Sequence, residues 1–356
     1  MWLRVGSIAA VLTLACQSNP KTEAAKPAPH QPAAKPKPAP KAARDGVGAH
    51  KPSEVAPPPA TATAAEIPTR YPAAPRVVAI GDVHGDLQAT RAALRLAGAI
   101  TESSDDWAGG KLVIVQTGDQ LDRGDGEMEI FALLERLSAQ AAEAGGALHI
   151  LNGNHEFMNT LGDLRYVTPG GLAQFEKDPT FNVADPRLAG RPPAERARLA
   201  AFLPGAPYAK ILSKRNTVVI VGRSVFVHGG VLPQHVPGGV PDLERLNADT
   251  RAWLSGAKST ADARSVAKQI MATDSVVWTR LYADETPDVC ETLVATLNLL
   301  DADRMVVGHT VQKQGVTSGC SGRLWRIDVG MSAHYGGTPQ ALLIAGDEVT
   351  TLGGGR

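Results

Sequence analysis

Five short stretches carry side chains able to bind cations and move protons: Gly81-Asp82-Val83-His84-Gly85, Gly118-Asp119-Gln120-Leu121-Asp122-Arg123-Gly124, Gly153-Asn154-His155-Glu156, His228-Gly229-Gly230 and Gly308-His309-Thr310. The first follows the β-favouring run Val77-Val78-Ala79-Ile80 directly. In extended backbone residues two apart share a face, so Asp82 and His84 aim a carboxylate and an imidazole at one point. Two ligands only begin a metal site; a cation that activates water needs three or more protein ligands and an open position. Asp119, Asn154, His228 and His309 are the candidates for the rest. Oxygen donors mixed with imidazoles suit Mn, Fe or Zn better than Ca or Mg, which favour all-oxygen shells. Six ligands serve two adjacent cations only if one carboxylate bridges, and Asp119 is the central choice. Two cations about 3.5–4 Å apart stabilise both the attacking and the leaving oxygen of an in-line displacement. That chemistry is phosphoester hydrolysis. Taken singly, each of the six residues is more often a turn former or a satisfied polar group.

The elements that must position these residues repeat as strand, loop and helix from residue 75 onward. Val77–Ile80 leads to a helix over Leu87–Ala97, with Asp86 as N-cap and Gly98 as its stop. Leu112–Val115 forms the next strand, followed by a long helix over Glu127–Ala144 with Ile130, Leu133, Leu134 and Leu137 on one side. Leu148–Leu151 is the third strand. Each delivers a polar cluster at its C-terminal end, the edge where α/β sheets usually bind ligands. Residues 159–214 are weakly patterned and rich in Pro and Gly, with a short helix over Glu195–Phe202. They read as an insertion over one side of the site that shapes substrate access. Thr217–Val221 and Ser224–His228 flank Gly222-Arg223 as a β-hairpin. Helices are expected over Leu243–Leu254 and Ala261–Met271, and strands near Met305–Val307, Leu324–Val329 and Ala341–Ala345.

The chain has 356 residues, 43% of them hydrophobic, and a formal net charge of zero. Residues 17–74 hold eight Lys/Arg against four Asp/Glu, which leaves 27 basic and 32 acidic residues from position 75. A mildly acidic folded part argues against a nucleic-acid partner, which calls for a basic face. The first sixteen residues read as an export signal: Arg4, an apolar core from Val5 to Leu14, then Ala15-Cys16. That core is too short to span a bilayer, which takes about 20 residues. Leu12-Thr13-Leu14-Ala15-Cys16 resembles a bacterial lipoprotein box, although Thr13 stands where an aliphatic residue is preferred. The resemblance implies lipidation at Cys16 and a lipid anchor at the periplasmic face of the outer membrane; ordinary secretion is the alternative. Residues 17–74, dominated by Pro, Ala and Lys, have too few large apolar side chains to offset ordering entropy and read as a tether. With Cys16 lipidated, Cys290 and Cys320 remain as a pair that an oxidising compartment permits to bridge, against two free thiols as the alternative. His149 is expected in the core, and His235 and His334 on the surface.

In their order and spacing the five stretches resemble the metal-dependent phosphoprotein phosphatase superfamily, whose signature is GDxHG, GDxxDRG and GNHE with two later histidines. Asp163-Leu164-Arg165-Tyr166-Val167, Val277-Trp278-Thr279-Arg280 and Arg326-Ile327-Asp328-Val329-Gly330-Met331-Ser332 are similar to its Shewanella-like phosphatase branch. The resemblance implies an α/β fold, an α/β/β/α sandwich of two mixed sheets flanked by helices, over residues 75–352. It implies two divalent ions, with Mn expected to support activity in vitro. Asp82 and His84 would hold the first ion, Asp119 would bridge, and Asn154, His228 and His309 would hold the second. Arg123 and Arg280 would clamp phosphate oxygens with their forked donors, with Arg165 a third clamp or the partner of a local acid. His155 would protonate the leaving oxygen, oriented by Asp122, after attack by a metal-bridging hydroxide. The expected substrate is a phosphomonoester, on protein Tyr or Ser/Thr or on a small molecule. The alternatives are a dinucleoside polyphosphate hydrolase and a metal-bound surface lipoprotein that only binds phosphorylated ligands. Asp328 is expected as a partner of a ligand histidine or a simple strand-end carboxylate.

Overall fold

The computed structural model describes residues 67–176 and 178–354. The export signal, Cys16 and the tether as far as residue 66 lie outside the described residues. In chain order the elements are β1 (Arg70–Tyr71), β2 (Val77–Ile80), α1 (Leu87–Ala97), β3 (Val113–Gln116), α2 (Glu127–Glu143), β4 (Ala147–Ile150) and α3 (Asn154–Leu161). The insertion contributes α4 (Pro169–Glu176), α5 (Pro193–Phe202) and α6 (Pro207–Leu212). Then come β5 (Val218–Val221), β6 (Ser224–Val227), α7 (Val240–Leu254), α8 (Thr260–Ile270), α9 (Pro287–Leu299) and β7 (Arg304–Val307). The chain closes with β8 (Thr317–Gly319), β9 (Leu324–Arg326), β10 (Gln340–Ala345) and β11 (Glu348–Gly353). Among the described residues no helix is long and apolar enough to cross a membrane.

Alternation within the short strands decides the layering, because successive side chains face opposite sides of a sheet. One sheet runs β11-β10-β2-β3-β4 and the other β1-β5-β6-β7-β9-β8. Val77, Ala79, Val115, Val219, Val221, Phe226, Val306, Leu342 and Ile344 fill the space between them. The intervening residues of the same strands point outward. Val78, Ile80 and Ile114 meet α1 and α2 through Leu94, Ile130 and Leu134, while Val225, Val227 and Val307 meet the opposite helical layer through Leu243, Trp253 and Leu293. Strands buried on both faces read as continuous apolar runs, as these do. The result is the expected four-layer α/β/β/α sandwich. Helix α1 starts where Asp86 accepts from the Ala89 amide at 2.9 Å and ends at Gly98 with φ 76°, as its cap signals predict.

The start of the folded part differs from the expectation. Composition extends the tether to residue 74, but Thr69 is buried and Arg70–Tyr71 pair in parallel with β5. Arg70 Nη1 donates to the Gly222 carbonyl at 3.1 Å, 152 residues away. A two-residue edge strand held by so distant a partner has no local signature. Strands β8 and β11 and helix α9 also escaped the pattern reading, and the strand expected over Leu324–Val329 pairs only to Arg326. The insertion is more ordered than its composition suggested: Phe175, Phe181, Phe202 and Tyr208 pack ring against ring at 5.2–6.1 Å, giving α4–α6 an aromatic core of their own.

Cys290, in α9, is bonded to Cys320, just after β8, with Cα atoms 5.3 Å apart and a sequence separation of 30. Closing a loop of that length restricts the unfolded chain and contributes about 3–4 kcal/mol in the chain-entropy view. Reduction, or the double change Cys290→Ser with Cys320→Ser, is therefore expected to lower the melting temperature measured by calorimetry. An unchanged transition would show that the bridge contributes nothing to stability.

Candidate active site

The five loops leave the C-terminal ends of β2, β3 and β4 in one sheet and of β6 and β7 in the other. Within each sheet these strands run parallel, so all five loops emerge at one edge of the sandwich. They turn sharply there. His84 (φ 43°), Asp119 (55°), Asp122 (69°), Arg123 (67°) and His309 (67°) are five of the eight non-glycine residues with positive φ among the described residues. Left-handed backbone costs L-residues on the order of 1–2 kcal/mol each, and such strain concentrates where function fixes a side chain's direction. The first two loops also touch backbone to backbone: a Cβ on Gly85 would lie 2.7 Å from the Gly124 carbonyl carbon, and one on Gly124 2.5 Å from that of Gly85. Neither position tolerates a side chain.

A buried carboxylate that the sequence reading left without a role ties the second and third loops together. Glu156 Oε2 accepts from the amides of Asp119 at 2.9 Å and Gly153 at 2.7 Å. Its Oε1 accepts from Gln120 at 2.9 Å and Leu121 at 3.3 Å. Its place as the last residue of Gly153-Asn154-His155-Glu156, three after the glycine at the start of α3, is the signal that could have exposed it.

Backbone carbonyls fix the tautomer of each candidate ligand histidine. His84 Nδ1 meets the Leu121 carbonyl at 3.0 Å, His228 Nδ1 that of Thr117 at 3.1 Å, and His309 Nε2 that of Trp278 at 3.2 Å. A carbonyl only accepts, so each of these nitrogens carries the ring's proton and the other presents a bare lone pair. The bare nitrogens converge. His228 Nε2 lies 2.8 Å from Asn154 Oδ1, 3.1 Å from His309 Nδ1 and 3.2 Å from Asp119 Oδ2. His84 Nε2 lies 3.7 Å from the same Asp119 oxygen and 4.0 Å from Asp82 Oδ2. Acceptors facing acceptors in a dry site are unstable unless a cation sits among them, so the donor set fits divalent metal. Two groups, His84 with Asp119 and His155, and Asp119 with His228 and His309, are each close enough to hold an ion. Asp119 belongs to both. Burial pushes His84 down to about 3 and His309 down to about 2, which keeps them neutral. Burial, with the Asp328 and Asp119 carboxylates beside it, pushes Asp82 well above the usual range. Asp328 caps the Gly330 amide at 2.9 Å, as a strand-end carboxylate does; no hydrogen bond to a ligand histidine is present among the described residues.

Beside this cluster His155 Nδ1 donates to Asp122 Oδ2 at 2.5 Å, which leaves Nε2 facing the site, 3.7 Å from Asp119 Oδ2. Burial works against a charged His155, but Asp119 and Asp122 outweigh it and raise its pKa. Arg123 lies between two aromatic faces, its guanidinium carbon 4.9 Å from the Tyr166 ring centre and 5.0 Å from that of Tyr335. Tyr166 also packs against His155 at 5.2 Å and Tyr335 against His84 at 5.6 Å. Both rings are exposed. Arg280 hangs on the fifth loop, donating to the His309 carbonyl at 3.0 Å and to Thr310 Oγ1 at 2.8 Å. Arg165 instead makes a two-pronged pair with Asp163 at 2.9 and 2.7 Å, the local-acid alternative the sequence allowed. His334 lines a groove with His84, Asp86, Arg123, Thr168 and Ser332, and His149 is half-buried against Tyr71 at 4.1 Å.

With this arrangement, residues 75–313 match the calcineurin-like phosphoesterase family. The chain belongs to that family. It is a phosphoester hydrolase. Shewanella-like protein phosphatase 2 of Arabidopsis thaliana is 40% identical over 309 residues, which is 78% of this chain and 77% of that one. Shewanella-like protein phosphatase 1 of Plasmodium berghei is 28% identical over 270 residues, 73% of this chain and 69% of that one. A solved cold-active protein tyrosine phosphatase superposes with a TM-score of 0.64 at 27% identity, covering 80% of this phosphoesterase and 78% of its own chain. A second such structure, from a psychrophilic Shewanella species, gives 0.60 at 25% identity, covering 82% and 85%.

Both oxygens of Glu156 accept from main-chain amides, and a carboxamide cannot reproduce that because one end of it donates. Glu156→Gln is expected to cost about 1–3 kcal/mol of stability and to lower the metal content of the purified protein. Wild-type metal content in that variant would show that the two loops hold their places without it.

Proposed function

We propose that this phosphoesterase is a two-metal phosphomonoesterase acting on phosphorylated protein, with phosphotyrosine ahead of phosphoserine and phosphothreonine. The observation that carries the reading is the set of bare imidazole nitrogens and oxygens gathered around Asp119. Asp82 and His84 would hold one cation, Asn154, His228 and His309 the other, and Asp119 would be shared by both. Bound cations supply a nucleophile at neutral pH and neutralise the transferring phosphoryl group. Arg123 and Arg280 present forked donors to the phosphate oxygens. His155, its Nδ1 held by Asp122, delivers the Nε2 proton to the departing alkoxide or phenoxide, and Asp122 stabilises the imidazolium beforehand.

The exposed Tyr166 and Tyr335 rings beside Arg123 support the phosphotyrosine preference, since an aryl ester can pack against them where a seryl ester cannot. The tyrosine phosphatases among the solved relatives support it too. The Cys290–Cys320 bridge supports an oxidising compartment and so export.

The test is turnover by manganese-loaded protein on a phosphotyrosine peptide, a phosphoserine peptide, p-nitrophenyl phosphate and a symmetrical dinucleoside tetraphosphate. The peptides are expected to be hydrolysed, phosphotyrosine fastest, and the dinucleotide poorly. Asp119→Asn and His228→Ala should abolish turnover of all substrates, while His155→Asn should cost about 10²–10⁴-fold, most with the poorest leaving group. A clear preference for the dinucleotide would overturn the substrate assignment, and retained activity in all three variants would overturn the mechanism.

A further inference from the structure

We propose that Arg198, carried by the insertion helix α5, is a positioning residue for the proton donor: buried behind Asp122, it holds that carboxylate in place and aimed at His155. The inference rests on His155 being the donor.

The side chain of Arg198 is wholly buried, and all five of its N–H groups are spent. Nε donates to Asn159 Oδ1 at 2.8 Å. Nη1 donates to Glu127 Oε2 and, at 3.0 Å, to the Gly171 carbonyl. Nη2 donates to Glu127 Oε1 at 2.9 Å and Asp122 Oδ1 at 3.2 Å. The rings of Phe175 and Phe202 stand 5.1 and 5.4 Å from the guanidinium carbon and help to shut it away from solvent.

Asp122 meets donors on every side: His155 on Oδ2, and Asn159 at 3.0 Å with Arg198 on Oδ1. A carboxylate so placed has no acceptor for a proton of its own. Its amide donates to Glu127 Oε1 at 2.5 Å, which puts two buried carboxylates side by side. Two adjacent carboxylates in a dry interior repel unless a cation lies between them, and Arg198 is that cation. Burial, opposed by Arg198 and reinforced by Asp122, raises Glu127 even so. With Arg198 present, its guanidinium holds both carboxylates and leaves the second oxygen of Asp122 on His155. Without it the two carboxylates repel, and Asp122 no longer aims the imidazole. The insertion thus reaches beneath the site as well as over it. A purely structural role, in which Arg198 only pins α5 to α2 and α3, is the competing account.

Leaving-group dependence separates the two, because a proton donor matters most when the departing oxygen is basic. The manganese-loaded protein would be measured on aryl phosphates of graded phenol acidity and on a phosphoserine peptide, alongside melting temperature and metal content. Arg198→Met is expected to lower kcat about tenfold or more on phosphoserine and severalfold less on p-nitrophenyl phosphate, with KM and metal content near wild type. Arg198→Lys keeps the buried charge but cannot reach Asp122 and both Glu127 oxygens together, so its slope is expected to fall between. If Arg198→Met does not fold, the Arg198→Lys slope decides. An equal loss across all leaving groups, or a wild-type slope in the folded variants, overturns the proposal. His155→Asn is the control: if it leaves the slope unchanged the donor reading itself fails, whereas a steep slope there with a flat one at Arg198 rejects Arg198 alone.

Discussion

Negative charge and unshared electron pairs gathered in one dry place are the constraint on which the rest of this molecule depends. Asp82, Asp119, Glu156 and Asp328 are at most 2% exposed, and three imidazoles turn their unprotonated nitrogens toward the first two. Main-chain amides satisfy Glu156 and Asp328, whereas Asp82 and Asp119 take one amide each, from His309 and His155, and otherwise face bare imidazole nitrogens. Burying uncompensated carboxylates costs several kcal/mol each. The arrangement makes sense only as half of an interaction whose other half is cationic.

The frame explains how such a cluster is held. Two sheets packed face to face bring the C-terminal edges of five strands together, so ligands from positions 82 to 309 meet without any one loop reaching far. Positive φ at His84, Asp119 and His309 aims them inward, and the apolar layers on both faces of each sheet stabilise the frame against that strain. Behind the ligands, backbone carbonyls choose tautomers and Glu156 locks two loops. The metal-facing side chains are therefore preorganised by main chain, which does not change rotamer.

Most of the site was legible because its chemistry is local in sequence. An apolar run ending in Gly81-Asp82 or Gly118-Asp119 announces both a strand end and a ligand, and Asp86 and Gly98 announce the helix between. What escaped depends on distant partners. Arg70–Tyr71 is a strand only because β5 lies beside it, and local composition there reads as tether. Arg198 sits in an Ala-rich helix where an arginine is ordinarily solvated; only the folded chain shows it beneath Asp122. Tyr166 and Tyr335 lie far apart in sequence and matter together because Arg123 stands between them. Arg165 had a phosphate and Asp163 as competing partners, and the nearer carboxylate holds it.

The central claim is that one carboxylate, Asp119, is shared by two cations. Counting bound metal per chain in the purified protein, beside the Asp119→Asn variant prepared identically, tests it most directly. The account predicts two ions in the wild type and loss of both, or retention of at most one, when the bridge is neutralised. A single ion in the wild type, or two ions held undiminished by the variant, would contradict it.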